Sequence, residues 1–82
     1  MASRIQNINA GLEMLMEDTS VPRNIRKAAE QIKSLLSGGS EPLDVRKSRA
    51  ISLLDDMAND PNIPLHGRTL VWNVMSQLET LA

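Results

Sequence analysis

Few side chains in this sequence could carry out chemistry. The only histidine is His66, and there is no cysteine among the 82 residues. Zinc is held by several such ligands together, so His66 is a poor metal ligand and is expected to be exposed in the first turn of a helix. Asp55, Asp56 and Asp60 form the one carboxylate cluster. Successive residues on a helix project about 100° apart, so Asp55 and Asp56 cannot easily ligate one ion. Ser20 and Ser40 each stand two residues before a proline and are expected to cap helices rather than act as nucleophiles. A lone histidine makes no persuasive triad with either serine. P-loop, dinucleotide and nucleophile-elbow patterns do not occur. The expectation is a protein without catalytic residues, metal or cofactor.

Two other groups could act by binding. Basic residues gather where helices should begin (Arg23, Arg26, Lys27; Arg46, Lys47, Arg49; Arg68), and acids gather late in helices (Glu13, Glu17, Asp18; Asp55, Asp56, Asp60). Both placements oppose the helix dipole, at about 0.3–1 kcal/mol each. Pairing across the turns should offset this, Glu17 or Asp18 with Arg23 or Arg26, and Asp56 or Asp60 with Arg68. The alternative is an anion or RNA-backbone site built from Arg23, Arg26, Arg46 and Arg49. It carries less weight, because no glycine-rich loop accompanies these residues and acids are interleaved with them. Trp72 is the only aromatic residue and falls off the centre of its helix's apolar stripe, beside Leu65, Arg68 and Met75. It either covers the bundle edge with Arg68 stacked on its ring or anchors a contact with another protein. Edge packing is the commoner outcome of the two.

Four amphipathic helices must position these groups. Ile5, Ile8, Leu12, Leu15 and Met16 recur at helical spacing between about Ser3 and Glu17. Asn7, Ala10, Gly11 and Met14 lie opposite; Gly11 is expected to be a tolerated defect in an exposed turn, with close packing as its alternative. Val21, Ile25, Ala28, Ala29, Ile32, Leu35 and Leu36 define a second helix ending near Ser37. There Gly38-Gly39 should adopt the left-handed backbone of a helix C-terminus. Leu43, Ala50, Leu53, Leu54 and Met57 define a third, in which the head of Arg46 should reach water or a carboxylate. A fourth starts near Ile63 and buries Leu70, Val71, Val74, Met75, Leu78 and Leu81.

Sliding the chain by 42 residues lays Leu12 on Leu54, Asp18 on Asp60, Val21 on Ile63, Pro22 on Pro64, Arg26 on Arg68 and Ile32 on Val74. The halves, about 3–37 and 42–81, thus read as two copies of one helical hairpin. A single hairpin cannot bury its apolar side, so an all-α four-helix bundle forming one domain over 1–82 is expected. A solenoid fragment is the rival, prompted by the proline caps and the Val45-Arg46 pair, but solenoids normally need three or more repeats.

Composition narrows the function classes. Nine basic residues face ten acidic ones, so no overall field attracts nucleic acid or a membrane, and weak net repulsion permits self-association. No apolar run approaches a membrane span or the core of a signal peptide, which implies a soluble intracellular protein.

The runs Asp18-Thr19-Ser20-Val21-Pro22-Arg23-Asn24-Ile25-Arg26, Ala50-Ile51-Ser52-Leu53-Leu54-Asp55 and Asn59-Asp60-Pro61-Asn62-Ile63-Pro64-Leu65-His66-Gly67-Arg68-Thr69-Leu70 together resemble a small archaeal family, uncharacterised protein family 0147. The resemblance covers nearly all of the chain from Ile8 onward. It implies an all-helical four-helix bundle in an archaeal cytoplasm, and it brings no catalytic or ligand residues. The expected function is a small protein-interaction module, with itself or an unidentified protein as partner, through Leu65, Arg68, Trp72 and Met75 or through the small face of the first helix. The alternative is an RNA- or phosphate-binding accessory protein.

Overall fold

A computed structural model describes residues 4–81 of the chain. Four helices follow one another: α1 (Arg4–Glu17), α2 (Arg23–Ser37), α3 (Leu43–Ala58) and α4 (Leu65–Glu79). A start of the first helix at Ser3 lies outside the described residues. Each helix packs on its two neighbours in the order α1, α2, α3, α4, and α4 returns to α1. That last contact decides against the solenoid, whose terminal helices would not meet. The radius of gyration, 11.8 Å, equals the roughly 11.7 Å expected of a compact chain of this length.

The expected apolar stripes form the core. Ile8, Leu12, Leu15, Ile25, Ala29, Ile32, Ala50, Leu54, Met57, Val71, Val74 and Leu78 are buried, and Val21 and Ile63 close one end from the turns. Gly11 does not sit in an exposed turn. It is buried, and a Cβ there would lie 2.7 Å from Val74 Cγ2. Valine in a helix is stiff about its first torsion, so the missing side chain is what lets α1 and α4 come this close.

Three of the four prolines set helix starts, but by a different route from the one expected. Pro22, Pro42 and Pro64 are themselves the N-cap residues, and no side chain caps the amides that follow. Ser20 and Ser40 stand too far back to do so. Proline has the extended backbone an N-cap needs, with φ of −55°, −59° and −68°. Its carbonyl accepts the first helical hydrogen bond, from the N–H of Arg26, Arg46 or Arg68. The residue before a proline is driven out of the helical region, which is why α4 begins at Leu65 and not at Ile63. At the end of α2, Gly38 is extended rather than left-handed, and the positive φ, +139°, falls on Gly39.

Candidate functional site

Of the arginines at the helix starts, Arg49 pairs with Glu41, whereas Arg23, Arg26, Arg46 and Arg68 form no ion pair among the described residues. Among the described residues, the ion pairs are Lys33–Glu13, Arg49–Glu41 and His66–Asp18, so the expected pairing of Arg23, Arg26 and Arg68 across the turns does not form. Two arginines instead reach back to the end of the preceding helix. Arg46 Nε donates to Glu41 O at 2.9 Å and one of its terminal nitrogens to Leu35 O at 3.2 Å. Arg68 Nε donates to Ala58 O at 3.0 Å. Each guanidinium therefore sits at the negative pole of another helix, and this offsets its unfavourable place in its own. The head of Arg46 meets backbone carbonyls rather than a carboxylate. Arg26 is the exception, its Nε buried without a hydrogen-bond partner.

These contacts thin out the anion site. Arg46 serves the α2 terminus and Arg49 is paired 3.0 Å from Glu41, leaving Arg23 and Arg26 at a different helix start. Lys27, Arg46 and Arg49 do line a concavity of about 990 Å³ between α2 and α3, but Glu30 and Glu41 share its wall.

At the opposite end of these helices the turns are cross-tied. Asp18 Oδ1 accepts the Ser20 N–H at 2.9 Å and the Ser20 hydroxyl at 2.6 Å, and Asp18 Oδ2 lies 2.7 Å from His66 Nε2. The second turn repeats this 42 residues later. Asp60 Oδ1 accepts the Asn62 N–H at 2.8 Å, and Asp60 Oδ2 accepts the Asn24 side-chain amide at 3.0 Å. Asn24 of α2 thus ties the α3–α4 turn while His66 of α4 ties the α1–α2 turn. The signal for this was present in the 42-residue offset, which lays Asn24 on His66.

Asp18, Ser20 and His66 have the residue types of a hydrolase triad and lack its geometry. Ser20 Oγ lies 3.2 Å from His66 Nε2, the same nitrogen that meets Asp18. A triad needs the carboxylate on one ring nitrogen and the nucleophile on the other. Here the Nε2 proton points to the carboxylate, so that nitrogen has no lone pair left for the serine. Hydrogen bonds from the Ser20 hydroxyl and amide, then from His66, lower the Asp18 pKa from 3.8 to about 2. The Asn24 amide and Asn62 N–H lower Asp60 likewise. Among the described residues, no three His, Cys, Asp or Glu side chains converge to hold a metal ion.

The residues expected at an interface lie on one row of α4, though only part of it is free. Leu65 is 73% exposed and Trp72 54% exposed. Met75 packs against the core and Arg68 is held by Ala58, so both support the ridge from behind. The row turns toward α3, as the Arg68–Ala58 bond requires, and the flank of α3 facing it was not legible from periodicity.

The model of the uncharacterised protein family UPF0147 matches residues 1–81. The chain belongs to this family. A UPF0147 protein of Methanosarcina mazei is 54% identical over 70 residues, covering 85% of this chain and 75% of the relative. One from Thermoplasma volcanium is 51% identical over 71 residues, covering 87% and 80%. The crystal structure of a family member from Thermoplasma acidophilum aligns with a TM-score of 0.90 at 43% identity, over 96% of this chain and 93% of the other. That of MMP1188, a protein of unknown function, aligns at 0.88 and 47% identity over 96% and 90%. UPF0147 is an archaeal family of four-helix proteins whose function is uncharacterised.

Proposed function

We propose that this UPF0147 protein is a small non-catalytic interaction module that works in the cytoplasm and engages another protein through the outer row of α4. The observation that carries this reading is the exposure of Leu65 and Trp72, two large apolar side chains two helical turns apart. A tryptophan left half in water on a rigid helix, backed by methionine and arginine, has the composition enriched where proteins touch. No helix among the described residues is long and apolar enough to cross a membrane, which is compatible with a cytoplasmic setting. An RNA- or phosphate-binding role has less support, because Arg46 and Arg49 of its four arginines already have internal partners.

Affinity purification from native cells, run in parallel with wild-type protein and Trp72→Ala, tests the proposal. The expected result is a protein component retained by the wild type and lost from the variant. Identical recoveries from both would refute it. RNA recovered in a steeply salt-sensitive manner would favour the alternative.

A further inference from the structure

We propose that the groove between α3 and α4 receives a basic amphipathic helix of another protein. This rests on the reading of Leu65 and Trp72 as an interaction ridge, and it adds the chemistry of the partner. Two hydrogen bonds set the ends of the groove. Arg68 of α4 meets the last residue of α3 through Ala58 O, and Lys47 of α3 meets the end of α4 through Leu81 O at 2.7 Å. Helical spacing then places Ile51 and Asp55 on the row between Lys47 and Ala58, facing Trp72, Met75 and Glu79 on α4. Ile51 and Met75 pack against the core and form the floor.

The rim carries apolar side chains on α4 and acids on both helices. Leu65 and Trp72 stand above the floor, separated by about 10 Å along the helix axis. Asp55 in the middle of the α3 row, Asp44 in the first turn of α3 and Glu79 at the end of α4 are exposed. Among the described residues, none of these three carboxylates takes part in an ion pair or a hydrogen bond. The two cations of the groove, Lys47 and Arg68, lie at its ends and are already bound to helix-terminal carbonyls. The charge open to a ligand is therefore negative. Leu65 and Trp72 match two apolar side chains at i and i+7 on a partner helix, whose flanking lysines or arginines would meet the acids. A polyanion would be repelled here. A second copy would bring the same acids and, in its own groove, only Lys47 and Arg68, which are already bound to carbonyls.

The test uses three synthetic helical peptides that share one leucine face and carry lysine, glutamine or glutamate on the flanks. Each is titrated into the full chain, with Trp72 emission and peptide anisotropy as readouts. The lysine peptide should bind, the glutamine peptide roughly tenfold more weakly and the glutamate peptide more weakly still. Asp44→Asn with Asp55→Asn should abolish the preference for lysine over glutamine while leaving the glutamine peptide's affinity unchanged; both residues are exposed, so the far-UV spectrum should be retained. Equal binding of lysine and glutamine peptides overturns the inference and leaves the Trp72 ridge standing. Failure of all three overturns it too, and the Trp72-dependent recovery from native cells then decides separately whether the ridge reading survives. A wild-type dimer that Trp72→Ala dissociates would assign the groove to a second copy and overturn the inference.

Discussion

At the residue scale, the least expected feature of the composition has a plain cause. Arginine at a helix start is unfavourable for that helix, yet Arg46 and Arg68 work on the end of the helix before, where free carbonyls need donors. The position was legible in the sequence as a recurring Pro-x-x-x-Arg. The target was not, because a carboxylate and a carbonyl attract a guanidinium alike. Arg46→Ala should cost about 1–2 kcal/mol in urea unfolding, since hydrogen bonds to charged donors in a half-buried site are lost. Arg49→Ala removes an ion pair whose arginine side chain is 60% exposed, and it should change stability by no more than about 0.5 kcal/mol. Equal costs would show that Arg46 acts only as a surface charge. Asp18 sets a pH dependence whose sign follows from its lowered pKa. The ionised form is favoured in the folded state, so its contribution is present above pH 3.8 and is lost as pH falls toward about 2. Asp18→Asn should therefore flatten the fall in stability across that window, as read by thermal unfolding at stepped pH.

At the element scale, the helices were legible to within about two residues, because apolar periodicity and proline are local signals. Departures arose where a neighbouring helix mattered. Gly11 reads as a weak point of α1 when α1 is considered alone, and as a close approach once Val74 of α4 is placed against it. Alanine is the better helix former by roughly 1 kcal/mol, so propensity alone predicts that Gly11→Ala stabilises. Packing predicts the reverse, because the added carbon must push the helices apart at about 1–3 kcal/mol. The expected outcome is a lower melting temperature for Gly11→Ala. Val74→Ala should cost less in that background than in the wild type, and a double-mutant cycle by calorimetry measures the coupling. The helix starts carry a related lesson. Ser20 looked like a cap by residue type, but it belongs to the turn lock with Asp18 and His66 because proline takes the cap position itself.

On the scale of the whole molecule, two similar hairpins close into a ring, and their turns tie each other through Asn24–Asp60 and His66–Asp18. Neither hairpin covers its own apolar side, so a peptide limited to residues 1–40 should show little helix by circular dichroism. Mixing it with residues 41–82 should restore helicity. A hairpin that is fully helical alone would contradict the account of the core. The sequence by itself determined the number of helices, their stripes, the proline-set starts and the repeat, all of which depend on residues within a few turns of one another. Only the tertiary structure decided that α4 closes on α1, that Arg46 and Arg68 serve carbonyls, and that the turns cross-tie. Those outcomes depend on the rotation and register of each helix against its neighbours. Every buried contact sets them jointly, and a one-dimensional pattern cannot contain them.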